Sequence, residues 1–95
     1  MRRDIPRGVQ AAQITHAAGE SSPGDLASGT YAVVLTVPDE AELRALSARL
    51  HTKEIRHRTI CENAPAYAGQ AMAIGAEPAP RSVLRRHFSS LPLLR

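Results

Sequence analysis

The pattern of hydrophobic and polar positions in the first third of the chain predicts a helix, a loop and a strand. Alanines and larger apolar residues at helical spacing run from Val9 to about Ser21, and Gly19 marks the end of this helix. Residues 22–30 carry proline, glycine, serine and aspartate and predict a loop. Residues 31–37, YAVVLTV, form a nearly continuous apolar run, which is typical of a central strand covered on both faces.

The pattern after residue 37 predicts a helix, two strands and a short final helix. Proline and carboxylates at 38–40 begin the helix, and leucines follow at helical spacing, at Leu43, Leu46 and Leu50. The later elements are a strand at 55–61, a loop at 62–69, a strand at 70–75 and a helix from Arg81 to about Ser89. This order predicts an α/β fold with a small sheet between helices.

The length and composition fit one domain, residues 1–95, with a core of small side chains. Ninety-five residues leave no room for a second core, and 43% of the residues are hydrophobic but only 3% are aromatic. The single cysteine, Cys61, excludes an internal disulfide and predicts a reducing, cytoplasmic location. No stretch approaches the roughly 18 apolar residues of a membrane span, so no membrane partner is expected.

Arginine dominates the basic residues. The formal net charge is +3, and eleven of the twelve Lys and Arg residues are arginine. Because arginine forms bidentate bonds to phosphate, this bias indicates a polyanionic partner. GC-rich coding is an equally good explanation of the same bias.

Three segments of the chain carry a family pattern. Residues 2–21 hold a basic, glycine-containing turn followed by AAQITHA, which includes Gln13 and His16. Residues 31–46 combine an apolar strand with a helix, and residues 70–80 contain Ile-Gly-Ala-Glu-Pro. In this order, the segments resemble the opening helix, the central strand and helix, and the last strand of the second type of peptidyl-tRNA hydrolase. The resemblance covers nearly the whole chain.

The resemblance implies a mixed four-stranded sheet between helices. Together with the three strands that the pattern predicts, we therefore expect a small mixed sheet of three to four strands. The family's reaction is hydrolysis of the ester bond of peptidyl-tRNA, which releases peptide and tRNA without a metal or organic cofactor. The family often forms dimers, so a homodimer is a further expectation. The alternative is a non-catalytic tRNA- or protein-binding domain with the same fold.

Two departures from the family pattern bear on the site. The family commonly has a lysine after the glycine of the first turn, and Val9 stands there. The family's Asp-Ala-Gly segment has no clean counterpart: in one alignment the aspartate becomes Tyr67, whereas with a shortened loop Glu62 supplies the carboxylate. The second alignment is preferred because a change in loop length costs little. Gln13 and His16 carry over unchanged.

Three residues are candidates for catalysis. Ester hydrolysis needs an activated water or nucleophile and a group that stabilises the oxyanion. We expect His16 to be the base and Glu62 to orient it, with Gln13 or a nearby arginine holding the acyl group. The structural alternatives are a helix histidine hydrogen-bonded near a sheet edge and a solvated loop carboxylate.

Other chemistry has less support in the sequence. Cys61 and His57 lie on one face of the predicted strand, but no third orienting group is evident, so a half-buried structural cysteine is preferred. The remaining histidines, His51 and His87, are too scattered to form a metal site of recognisable spacing with His57. No metal is therefore expected.

Two groups of arginines are candidates to contact tRNA phosphates. Arg2, Arg3 and Arg7 cluster at the start of the chain, and Arg56 and Arg58 share one face of the predicted strand. A solvated surface explains either group equally well.

The start of the chain carries little of the family's first strand. That strand precedes the basic turn, and Met1-Arg2-Arg3-Asp4 holds at most its last residue or two. The strand at 31–37 would then lack a neighbour, and a bare apolar edge invites pairing with another chain. We expect a natural N-terminus several residues longer, and coverage by a second molecule or partner is the alternative.

Overall fold

The computed structural model describes residues 1–95 and contains three helices and two strands. The helices are α1 (Arg7–Ser21), α2 (Glu40–Thr52) and α3 (Arg81–Phe88), and the strands are β1 (His57–Glu62) and β2 (Gln70–Ala76). The α/β class predicted from the sequence is confirmed, and each of these elements lies where the sequence pattern places it. None of the helices is long and apolar enough to cross a membrane.

The regular sheet has two antiparallel strands, so the predicted three to four strands are not confirmed. Residues 31–37 form no strand and pair with their neighbours only at single bridges. Val37 pairs in parallel with Arg2, and Leu35 pairs antiparallel with Leu93. Backbone hydrogen bonds around these bridges join residues 35–37 to residues 1–3 and residues 34 and 36 to residues 94 and 92. The pairing ends after these few residues on each side, so no regular strand forms.

The apolar run at 31–37 is covered only at its C-terminal end. Thr36 and Val37 are buried, whereas the side chains at the start of the run face solvent: Tyr31 is 88% exposed and Val33 is 64% exposed. The sequence pattern predicted a central strand covered on both faces because it records the apolar side chains and not the partners available to them.

A β-bulge distributes the residues of β2 between the two faces of the sheet. The register of the hairpin shifts once, and Met72 is the residue of β2 that has no partner in β1. Because of this extra residue, Met72 and Ala73 both pack on the α1 side of the sheet. Ala71 and Ile74, on either side of them, pack on the α2 side.

Two apolar clusters lie on opposite faces of the sheet. The α1-side cluster consists of Met1, Ile5, Ala17, Met72 and Ala73. The α2-side cluster consists of Val37, Leu43, Leu46, Leu50 and Ala71. The leucines that recur at helical spacing in α2 share one buried face. This helix begins at Asp39, whose carboxylate accepts a hydrogen bond of 3.0 Å from the backbone N–H of Glu42.

The helix α1 approaches β2 so closely that only glycine fits at position 75. A Cβ atom at Gly75 would collide with the carbonyl oxygen of Ala17 and would lie 2.7 Å from the hydroxyl oxygen of Ser21. That hydroxyl donates a 2.7 Å hydrogen bond to the same carbonyl of Ala17. Since both obstructing atoms belong to one buried hydrogen bond, neither can move away at low cost.

Replacement of Gly75 by alanine is expected to lower the free energy of unfolding by about 1–3 kcal/mol, the usual cost of overpacking a core. Gly19→Ala is the matched control, because a Cβ at Gly19 of α1 meets nothing within 4 Å. The control should leave stability unchanged or raise it by up to about 1 kcal/mol, since alanine is the better helix former. Urea unfolding compares the two variants with the parent. A Gly75→Ala protein as stable as the parent would contradict the close contact.

Candidate active site

A hydrogen bond joins the amide of Gln13 on α1 to the carboxylate of Glu62 at the end of β1. Gln13 Nε2 donates to Glu62 Oε2 over 2.9 Å, and Gln13 is only 3% exposed. A carboxylate without a proton can only accept, so the bond fixes which end of the amide faces Glu62. The pair spans the junction between the helix and the strand.

Glu62 is held as a carboxylate. Its second oxygen, Oε1, accepts a 3.0 Å hydrogen bond from the backbone N–H of Ala64. This N–H and the amide of Gln13 are the main causes that hold the pKa of Glu62 below its usual value, against the opposing effect of partial burial. Glu62 is therefore ionised at neutral pH.

His16 lies one turn after Gln13 and faces solvent. The spacing of three residues puts the two side chains on one face of α1, and the His16 residue is exposed. No hydrogen bond joins its ring to Glu62, whose two oxygens are bound by Gln13 and the backbone N–H of Ala64. The structure thus brings the three candidate catalytic residues to one face of the molecule.

The carbonyl oxygen of Gln13 is buried and has no hydrogen-bond partner. No other buried side-chain oxygen or nitrogen in the chain lacks a partner. Leaving a buried acceptor unsatisfied costs about 1–3 kcal/mol, so this atom is an acceptor that a bound donor would satisfy. It belongs to the same amide that binds Glu62.

The residues at the other positions compared with the family pattern pack into the core. Tyr67 is partly buried and packs against the α1-side cluster. Val9, which stands in place of the family lysine, packs against the same cluster. Both departures from the family pattern therefore supply apolar contacts to the core.

Arg2 is buried and bonded within the fold. Its guanidinium donates to both carboxylate oxygens of Asp4, at 2.8 and 2.9 Å, to Gln70 Oε1 at 2.7 Å and to the Ala71 carbonyl at 3.2 Å. The hydrogen-bonded pair raises the pKa of Arg2 and lowers that of Asp4. The assignment of Arg2 to the tRNA-contacting group does not fit this placement, because its donors are already in use.

The other four arginines predicted to contact tRNA are exposed. Arg3, Arg7 and Arg58 take part in no ion pair, whereas Arg56 lies 3.8 Å from Glu77. Arg58 and Glu62 are four residues apart on β1, so their side chains share one face of the strand. Arg7 lines a groove of about 300 Å³ on the other flank of α1.

The alternative nucleophile and metal sites find no support in the geometry. Cys61 is exposed, so the prediction of a half-buried structural cysteine is wrong; its strand β1 forms an edge of the two-stranded sheet. The ring of His57 is instead held by the hydroxyl of Ser47, at 3.1 Å, and the carbonyl of Ile55, at 2.7 Å. No group of three or more His, Cys, Asp or Glu side chains could hold a metal ion.

Sequence reasoning missed the polar residues that support this face. Gln10 Nε2 donates to the backbone carbonyl of Arg2 at 3.1 Å, and Glu40 Oε2 accepts from the backbone N–H of Ala71 at 2.7 Å. One signal was present in the sequence: the buried positions of α1 recur at helical spacing and include three polar residues, Gln10, Gln13 and Ser21. A polar stripe of this kind indicates a helix face that turns inward to bind other polar groups.

An α/β domain that presents an imidazole, an ionised carboxylate and an amide on one face has the groups that an acyl-ester hydrolase needs. The family model described as peptidyl-tRNA hydrolase PTH2 matches residues 1–94, and the chain belongs to this family. The resemblance drawn from the sequence is confirmed. Family membership implies hydrolysis of peptidyl-tRNA, with a role in translation. No curated protein matches the chain.

The carboxyl group of Glu62 is expected to titrate below the ordinary glutamate range, and Gln13→Leu should raise its pKa because one donor is removed. Since the folded-state pKa is the lower one, Glu62 contributes stability above the unfolded-state pKa. That contribution is lost as the pH falls through the folded-state pKa. NMR titration of the side-chain carboxyl carbon measures both proteins. An identical titration in parent and variant would contradict the hydrogen bond.

Proposed function

We propose that this chain hydrolyses the ester of peptidyl-tRNA at the face formed by Gln13, His16 and Glu62. The observation that carries the proposal is the 2.9 Å hydrogen bond between Gln13 and the ionised Glu62, with His16 one turn further along the same helix. Family membership supplies the reaction, and we assign the roles of the residues to agree with their placement.

His16 acts as the general base. Its neutral imidazole takes a proton from a water molecule, and the water oxygen attacks the ester carbonyl carbon. The bond from that carbon to the ribose oxygen then breaks, and the proton passes from the imidazolium to the ribose oxygen. Glu62, held in place by Gln13, orients the imidazole for both steps.

Gln13 positions the reacting groups. Its Nε2 is bound to Glu62, which leaves Oε1 as a buried acceptor without a partner. Once bound substrate displaces the side chain enough to uncover this oxygen, it accepts a hydrogen bond from the attacking water or from a peptide N–H of the substrate. Either partner would satisfy the unpaired acceptor, and the Glu62 bond keeps the amide from rotating.

Four exposed arginines bind the phosphates of tRNA in this proposal. Arg3, Arg7 and Arg58 have no acidic partner, so their charge is available to the substrate. The contact of Arg56 with Glu77 is exposed and 3.8 Å long, which makes it weak enough to exchange for a phosphate contact.

The protein works in the cytoplasm as a homodimer in this proposal. A single free cysteine suits a reducing compartment.

The exposed side chains of Tyr31, Val33 and Leu93 supply apolar surface that a second copy would cover. Light scattering of the purified protein at several concentrations measures the oligomeric state.

His16→Ala should reduce single-turnover cleavage of peptidyl-tRNA by at least about tenfold, because a general base contributes that much or more. The melting temperature should stay nearly unchanged, since His16 is exposed. His51→Ala is the matched control: His51 is also exposed, but it lies at the end of α2, away from the site. Equal rates for His16→Ala and the parent would remove His16 from the mechanism. A parent that binds tRNA and cleaves nothing would favour the non-catalytic alternative.

A further inference from the structure

The positive charge of the chain is concentrated at its C-terminal end. Residues 1–80 carry eight Lys and Arg against nine Asp and Glu, whereas residues 81–95 carry four Arg and no acid. The net charge of +3 therefore comes entirely from the last fifteen residues. None of these arginines belongs to the groups assigned above to the α1 face.

The arginines of α3 are accessible to solvent because little of this helix is buried. No residue of α3 is fully buried, and Arg81, Arg85 and Arg86 are all exposed. Phe88 at the end of α3 and Leu91 beyond it pack against the α2-side cluster. The helix is therefore anchored at one end with its arginines in solvent.

An open cleft of about 470 Å³ lies where α3 meets the C-terminal end of α2. The α2–α3 cleft is lined by Ala48, Arg49, Thr52, Lys53, Arg86, His87 and Ser90. Arg49 lies in the last turn of α2, and Lys53 follows directly after the helix, where its backbone N–H bonds to the carbonyl of Arg49. Three cations thus line one concave surface that contains no acid.

The cations of the α2–α3 cleft are free to bind an anion. The ion pairs of the chain join Arg2 with Asp4, Arg44 with Glu40 and Arg56 with Glu77. Arg49, Lys53 and Arg86 take part in none of them. The three positive charges on this concave surface repel one another, and a bound polyanion relieves that repulsion.

We propose that the α2–α3 cleft is a second phosphate-binding surface for tRNA, on the opposite side of the sheet from the Gln13–Glu62 pair. The inference rests on the proposed function, because it takes the substrate of that site as its ligand. The lining favours RNA over an acidic protein: Ala48 is its one apolar residue, whereas protein interfaces have an apolar centre. Nucleic-acid interfaces are polar and strongly positive.

Binding of deacylated tRNA at increasing salt concentration tests this surface. Each phosphate contact contributes about 0.9 to the slope of log K against log salt concentration. Loss of two contacts in the Arg49→Gln, Arg86→Gln double variant should make the slope less negative by about 2. The same loss should weaken binding at low salt by about tenfold or more. Arg44→Gln is the matched control, because Arg44 has the same charge on the same helix but is paired with Glu40.

The outcomes separate this inference from the proposed catalysis. Deacylated tRNA has no ester, so its binding does not depend on cleavage. A less negative salt slope in the double variant therefore supports tRNA binding at the cleft even if the parent cleaves no peptidyl-tRNA. His16→Ala should keep the parental slope. A folded double variant with the parental affinity and slope overturns the inference. Polyglutamate at equal charge concentration is the competitor for tRNA. If polyglutamate displaces tRNA from the parent but not from the double variant, the inference is overturned in favour of an acidic protein partner.

Discussion

The contact between α1 and β2 at Gly75 is the constraint on which the rest of the structure depends. At this point the helix backbone lies against the strand, with the carbonyl of Ala17 in the space that any side chain would need. The same approach turns the polar stripe of α1 toward the sheet and lets a short amide side chain, Gln13, reach the carboxylate of Glu62. A core with few aromatic side chains permits this approach, because alanine and glycine keep the layers close.

The sequence predicted the helices and the hairpin because their signals are local. The leucines of α2 repeat at helical spacing, and β1 and β2 are joined by a short loop, so each element can be inferred from its own residues. The candidate site residues were proposed in a different way, from the family resemblance that the AAQITHA pattern carries. The structure of residues 31–37 could not be predicted from local signals, since its pairing depends on segments at the two ends of the chain, near Arg2 and Leu93. The burial of Arg2 likewise depends on Gln70, sixty-eight residues away.

The two faces of the sheet divide the chemistry of the molecule. The α1 face holds one ionised carboxylate, one buried amide acceptor and an exposed imidazole, a small set suited to a reaction at one bond. The face on the α2 side holds the leucine core and, at its rim, unpaired cations without an acid. Since binding to a polyanion needs many weak contacts, the proposed α2–α3 cleft adds phosphate contacts to those proposed for Arg3, Arg7, Arg56 and Arg58.

The central claim is that Gln13 and Glu62 act as one unit beside His16. A double-mutant cycle in single-turnover cleavage of peptidyl-tRNA tests it most directly, with Gln13→Ala, Glu62→Ala and the double variant compared with the parent. We predict that the double variant loses about as much rate as the more damaging single variant, because either change disrupts the same pair. Losses that multiply in the double variant, or a parental rate for either single variant, would contradict the account.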